Sequence, residues 1–330
     1  MIPTALWIAA WTCSAFEPPE LVGRFHDLAI DEASGLTFQA SGAGFWTHND
    51  SGDAAHLYAL DLEGKPLGMI ELEDTLAIDF EDLSAGPCGD ERCLYVGDIG
   101  DNAARRDAIT VYRLIEPEPP GPGQTLTQRP ERLILSYPDG PTDAEGLAVD
   151  PRTGDVLIIS KNRDEPTSAV YRLAASAWER SAPVVLERLG QIAWQGEGLA
   201  AQATAAEIDP TGTHLFVQTY TQGQRIKLER TQGVIDRLGD REPFTPWSLG
   251  QCEAMTISLD GAALWFTCES SPAPLARARC LSQPSPPTTQ PTPPEGCSSC
   301  HQFAASIWGA LAIIALRRRS KGVQGRRRSI

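Results

Sequence analysis

Residues 143–173 read DAEGLAVDPRTGDVLIISKNRDEPTSAVYRL. An acidic pair, Asp143 and Glu145, leads into a short run of small apolar residues. A turn built from Asp150, Pro151, Gly154 and Asp155 follows, then the run Val156-Leu157-Ile158-Ile159, a polar loop, and Ala169-Val170-Tyr171-Arg172-Leu173. Short β-branched and aromatic runs separated by Gly, Pro, Asn and Asp are strands, because those side chains fit a pleated surface and those breakers fit tight turns.

The same unit recurs outward in both directions. Glu32-Ala33-Ser34-Gly35-Leu36, Asp79-Phe80-Glu81-Asp82-Leu83, Ala206-Glu207-Ile208-Asp209 and Cys252-Glu253-Ala254-Met255 each place an acid against a small apolar strand. With Glu32, Glu81, Glu145, Glu207 and Glu253 as markers, the spacings are 49, 64, 62 and 46 residues. Each marker is followed by a second strand, such as Phe45-Trp46-Thr47-His48 or Leu264-Trp265-Phe266-Thr267. A third recurs as His56-Leu57-Tyr58-Ala59-Leu60 and Thr110-Val111-Tyr112-Arg113-Leu114. Repeats of roughly 50 residues with about four strands are the pattern of β-propeller blades, since one small sheet buries its two faces only against ringed neighbours. The expectation is an all-β chain with a single β-propeller over residues 16–281 and five blades. Residues 21–28 supply the outer strand that closes the last blade. A sixth blade stays open in residues 219–251.

Composition agrees. The 29 Gly and 26 Pro among 330 residues disfavour a helical bundle, and 42% hydrophobic residues suffice for a large core. The net charge is −15, and the last 14 residues carry seven basic residues and no acid, so the preceding chain stands at −22. Such a body repels phosphate, which excludes nucleic acid as a partner. A monomer is expected.

The ends carry a different message. Residues 1–15 contain a short apolar run closing on Cys13-Ser14-Ala15, read as a signal peptide. Residues 282–296, SQPSPPTTQPTPPEG, form an extended Pro/Ser/Thr-rich linker. Residues 297–330 hold Cys297 and Cys300, a hydrophobic segment from Phe303 to Leu316 expected as a short helix, and the triplet Arg317-Arg318-Arg319. This order resembles the tripartite C-terminal sorting tails of bacterial surface proteins, in particular the myxobacterial type. The resemblance implies export to the cell surface or outer membrane and membrane anchorage by the tail, with release after processing left open. Oxidising surroundings suit disulfides. Cys88 and Cys93 bracket a four-residue polar loop, and Cys252 and Cys268 flank a strand–turn–strand centred on Asp260-Gly261. Cys280 has no evident partner.

WTHNDSGD (46–53), DFEDL (79–83), GDIGDN (97–102), DAEGLAVDP (143–151) and QCEAM (251–255) resemble a family of bacterial exported β-propellers. That family is loosely akin to phytase-like esterase and quinoprotein-dehydrogenase-like propellers. The resemblance implies the fold and leaves the chemistry open.

Entry loops of inner strands face one mouth of a propeller's channel. Asp79, Glu81, Asp82, Asp143, Glu145, Glu207 and Glu253 are therefore expected to converge there, with Lys161 neutralising some of them or holding an anionic ligand. Crowded carboxylates repel unless a cation intervenes, and hard oxygen ligands suit Ca²⁺ or Mg²⁺. Asp50, Asp98, Asp101 and Asn102 fit such a cation, and fit equally the capping of tight turns. No G-x-S-x-G elbow, P-loop or HExxH motif is present. Two functions follow: a surface module binding a ligand or protein through its acidic mouth, or a metal-dependent hydrolase of phosphate or other esters.

Overall fold

The computed structural model describes Cys13 and residues 15–180, 182–248 and 250–281. The linker, the C-terminal tail and residues 1–12 of the expected leader lie outside the described residues. Among the described residues no helix is long and apolar enough to cross a membrane.

The described chain is all-β apart from two short 3-10 turns, at Ala175–Glu179 and Gly198–Ala201. It forms a five-bladed propeller. Strand β1 (Glu20–Arg24) comes first. Blade one holds β2 (Ala33–Phe38), β3 (Gly44–Asn49), β4 (His56–Asp61) and β5 (Pro66–Leu72), running outward from the channel. Blade two holds β6 (Phe80–Cys88), β7 (Glu91–Asp98) and β8 (Ile109–Ile115). The chain then crosses back as β9 (Thr125–Gln128), which pairs parallel with β5, before β10 (Glu131–Ser136) completes blade two. Blade three holds β11 (Ala144–Val149), β12 (Val156–Ser160) and β13 (Thr167–Leu173); β14 (Val184–Val185) pairs parallel with β10, and β15 (Glu187–Ala193) closes the blade. Blade four holds β16 (Ala203–Ile208), β17 (His214–Thr219), β18 (Gly223–Thr231) and β19 (Val234–Phe244). Blade five holds β20 (Ala254–Ile257), β21 (Ala263–Thr267) and β22 (Pro274–Arg279), with β1 as its outer strand.

Residues 219–251 are therefore no sixth blade. They are the long outer hairpin of blade four, two polar strands meeting at Gln232-Gly233. Their weak strand pattern has a simple cause. An outermost strand keeps one face in water, and β19 is mostly exposed or half-buried.

Inner strands are buried on both faces because each is covered by both neighbouring blades. All six residues of β2, β11 and β16 are buried. The hydrophobic core is accordingly five separate clusters, one per blade interface. Tyr95, Val111 and Leu135 meet Leu147, Ile158 and Tyr171 between blades two and three. Leu157 and Ile192 meet Val217 and Ile226 between three and four. Phe38 and Phe45 meet Trp265 and Leu275 across the closure, with ring centroids 5.1 Å apart for Phe45 and Trp265. Fully burying one such side chain contributes about 1.5–3 kcal/mol, so each interface is strongly held. Trp46, Trp194 and Trp265 sit in these clusters, and Trp247 packs against another.

Among the described residues three disulfides are formed. Cys88–Cys93 closes the β6–β7 turn, and Cys252–Cys268 ties the start of blade five. Cys280 has a partner after all: Cys13, 267 residues away, with Cα atoms 5.6 Å apart. The Ala15 carbonyl accepts from the Leu281 amide at 2.8 Å and Glu17 N–H donates to the Arg279 carbonyl at 2.8 Å. The ring closure is thus both hydrogen-bonded and covalent.

Candidate functional site

The innermost strands do not enter the channel as plain ladders. β6, β11 and β16 each carry a bulge at the entry end, between Phe80 and Asp82, Ala144 and Gly146, and Ala203 and Ala205; β2 carries one between Ala33 and Leu36. A bulge inserts an unpaired residue and re-aims its side chain. The bulged residues are Glu81, Glu145 and Thr204, with Ser34 inside the β2 bulge and Glu253 immediately before β20. Ser34 and Thr204 spend their hydroxyls on the next blade, donating to the Glu81 carbonyl at 2.5 Å and the Cys252 carbonyl at 3.2 Å. Glu81, Glu145 and Glu253 keep their carboxylates for the channel mouth, each no more than 4% exposed.

Further acids close around them. One carboxylate oxygen from each of Glu81, Asp143 and Glu145 lies within 4.8 Å of the others; so do those of Asp50, Asp79 and Glu81, and those of Asp50, Glu253 and Glu269. These three overlapping triads form one arc around the mouth. Gly100 makes room for it, since a Cβ there would collide with Glu81 Oε1 and the Asp79 carboxylate.

Only a few cations answer. Lys161, directly after β12, donates to Glu145 Oε1 and to the Tyr220 hydroxyl at 3.1 Å, and lies 3.9 Å from Glu253 Oε1. The Tyr220 hydroxyl donates in turn to Glu253 Oε1. Arg163 pairs with Asp143 at 3.0 Å and reaches Asn102 and Glu145. Arg106 pairs with Asp98 at 2.8 Å and donates to the Gly100 carbonyl.

The balance shows in the acidities. Burial, reinforced by Glu145, Asp50 and Asp79, holds the Glu81 carboxyl well above the carboxylate range. Burial lifts Glu145 to about 8 although Lys161 opposes it. Glu269 rises to about 9 through burial and its contact with Glu253, and Asp50 to about 6 through burial and the charges of Glu253 and Asp79. Asp79 is raised by burial and by Asp143. Crowded acids without enough donors hold protons. One atom marks the deficit: Glu145 Oε2 is buried and accepts no hydrogen bond.

The other candidates sort by their partners. Asp98 accepts from the Ile78 and Asp79 amides, Asp101 from the Arg106 amide at 2.7 Å, and Asn102 from Arg163. These three hold the 97–106 turn and its arginines and belong to none of the triads, whereas Asp50 belongs to two. Asp82 lies deeper, fully buried in the channel. Its carboxylate accepts from Leu83 and Leu147 amides at 2.8 Å and from the Ala206 amide at 3.1 Å, bolting together the inner strands of three blades. Glu207 does not join the mouth. In blade four the bulge position is Thr204, and Glu207 comes three residues later, at the far end of β16.

Tyr220 and Glu269 were not expected from the sequence. Both follow the second strand of their blade, as Asp50 and Lys161 do, so that shared offset was the available signal.

No protein-family model matches the chain, and no curated protein matches it. Among solved structures it is similar to the β-propeller domain of Cps50 (Swd1) from Myceliophteria thermophila, at 10% identity and TM-score 0.42, covering 76% of this chain and 74% of that one. It is also similar to an auxiliary nutrient binding protein from Bacteroides thetaiotaomicron, at 11% identity and TM-score 0.43, covering 78% of this chain and 63% of that one. A third similarity is to Kuenenia stuttgartiensis hydrazine synthase, at 11% identity and TM-score 0.38, covering 74% and 82%.

Proposed function

We propose that this protein is an exported, surface-anchored propeller that binds a divalent cation, Ca²⁺ ahead of Mg²⁺, at its acidic mouth and uses it to hold a ligand or partner protein. The observation that carries the reading is Glu145 Oε2, a buried carboxylate oxygen without a donor inside an arc of triads. A cation supplies the missing partner and restores the ordinary acidity of the groups around it. Oxygen-only donors from several loops suit the larger, geometrically tolerant Ca²⁺. The triad Glu81, Asp143 and Glu145 would hold it, flanked by Asp50, Asp79, Glu253 and Glu269 along the arc. Lys161 and Arg163 border a cavity of about 650 Å³ beside the arc, where they favour an anionic group on the ligand.

A second reading is a metal-dependent hydrolase of phosphate or other esters. Lys161 and the Tyr220 hydroxyl favour it, because they stand against the carboxylates where a proton is held or delivered.

Metal binding is tested by melting the protein with Ca²⁺, with Mg²⁺ and with chelator. A Ca²⁺-dependent rise that Glu145→Gln abolishes is expected; no shift with either ion overturns the reading. Turnover of a phosphomonoester by the Ca²⁺-loaded protein decides for the hydrolase. Export and anchorage are read from the two ends of the sequence. Removing the chain after Ser282 should shift the protein from membrane to soluble fraction, and unchanged partition overturns the anchor. The Cys13–Cys280 pair bears on the leader: a cut after Ala15 would discard Cys13, so we place the cut ahead of it.

A further inference from the structure

The opposite end of the channel is a second cavity, of about 410 Å³. Its walls come from the exit ends of all five inner strands: Phe38 of β2, Ala85 of β6, Val149 of β11, Ile208 of β16 and Ile257 of β20, with Leu259 at the edge. This size and this mainly apolar lining suit a small organic molecule rather than a bare ion. One ionisable group is set into the wall between them. Glu207 is only 7% exposed and forms no ion pair among the described residues.

The protein orients this carboxylate with neutral donors from three blades. Ser84 Oγ donates to Glu207 Oε1 at 3.1 Å, the Ile208 amide donates to the same oxygen at 3.1 Å, and Thr256 Oγ1 donates to Oε2 at 3.2 Å. Burial still lifts its acidity to about 7. Arg92 lines the cavity too, and its charge partly opposes the effect of burial on Glu207, but its guanidinium is hydrogen-bonded to Glu116 and to the Phe38 carbonyl at 2.8 Å rather than to Glu207. Asp90 and Glu91 add negative charge to the edge. The cavity therefore offers an apolar wall, a held carboxylate and a surplus of negative charge.

We propose that this second mouth binds a small organic ammonium ion with an apolar body, its charged nitrogen seated on the Glu207 carboxylate. The apolar part lies against Phe38, Val149 and Ile257. The ammonium takes the remaining lone pairs of Glu207, which hydroxyl and amide donors neither fill nor neutralise. Asp82 and its three amide bonds lie inside the channel among the inner strands, and none of the rim acids lines this cavity. The site is thus independent of the cation proposed at the rim.

The test titrates the full-length protein with 2-phenylethylammonium, followed by calorimetry and saturation-transfer NMR. 3-Phenylpropionate serves as the matched anion. The ammonium should bind, and the anion should not. Glu207→Gln should weaken ammonium binding at least tenfold. Leu259→Arg, at a position 45% exposed and so compatible with folding, should weaken it similarly by placing positive charge at the edge. Affinity should be the same with Ca²⁺ and with chelator, which separates this site from the rim. Equal binding of the anion, absence of ammonium binding, or full affinity in a folded Leu259→Arg protein overturns the proposal.

Discussion

At the rim, Glu145 shares one buried oxygen with Lys161 and leaves the other without a donor; inside the channel, Asp82 has both oxygens filled by three backbone amides. Both are carboxylates on inner strands, at most 4% exposed, in neighbouring blades. The difference lies in what the backbone offers them. Asp82 follows the β6 bulge and accepts from amides on the channel-facing edges of β6, β11 and β16, strands that pair on one side only, so its hydrogen-bonding capacity is spent on structure. Glu145 is itself the bulged residue and projects to the mouth among other acids. A buried acid in this propeller is thus a bolt when amides converge on it and a site when acids do.

The largest expected effect tests the bolt. Asp82→Ala strands three buried N–H groups, and each unsatisfied buried donor costs about 1–3 kcal/mol. A loss of roughly 3 kcal/mol or more is expected, the same with Ca²⁺ and with chelator, as measured by denaturant unfolding. A mild effect, or one that Ca²⁺ rescues, would erase the distinction between the two positions.

The next effect tests the site. Ca²⁺ at a hundredfold excess over its Kd stabilises the native state by about 2.7 kcal/mol. Glu145→Gln should remove most of that gain. Without Ca²⁺ it should be near neutral, because Glu145 then already holds a proton at neutral pH and the amide stands in for the neutral carboxyl. A turn-capping role would instead make the substitution destabilising by about 0.5–2 kcal/mol with or without metal.

The contrast between bolt and site was only partly legible beforehand. Blade count, the closing outer strand, the third-strand triplet ending in Arg172-Leu173 and two disulfides follow from periodicity and short spacings, which are local. Convergence of Glu81, Glu145 and Glu253 was readable for the same reason. Glu207 was misplaced because a one-residue bulge is invisible in sequence: the acid in blade four sits three positions past the bulge that Thr204 occupies. Asp82 looked like another rim acid because adjacent residues differ only in which way the bulge turns them. Cys13–Cys280 spans 267 residues, and no local pattern links its ends until the ring has closed.

The effect smallest per proton and pH unit is a slope. Asp50, Glu145 and Glu269 have acidities near 6, 8 and 9 in the metal-free native state, against 3.8, 4.5 and 4.5 when unfolded. Between these limits the native state holds protons that the unfolded chain has released. Stability must then fall as pH rises, by about 1.4 kcal/mol per unit for each whole proton of difference. Asp209, held low by His214, Thr211 and Thr213 against the effect of burial, has the opposite sign. Its stabilisation is present above pH 4 and is lost below it. The metal-free protein should therefore be most stable near pH 4, where the unfolded carboxyls begin to release their protons, and weaken steadily towards pH 9. Saturating Ca²⁺ should remove the rim's share of the alkaline limb, because the bound ion replaces the protons there, while Glu207, raised to about 7 away from the rim, keeps its own share. Melting curves from pH 4 to 9, with Ca²⁺ and with chelator, measure this directly. An alkaline limb that persists unchanged in Ca²⁺ would mean that the rim acids keep their protons and behave as a buried network like Asp82, without a cation between them.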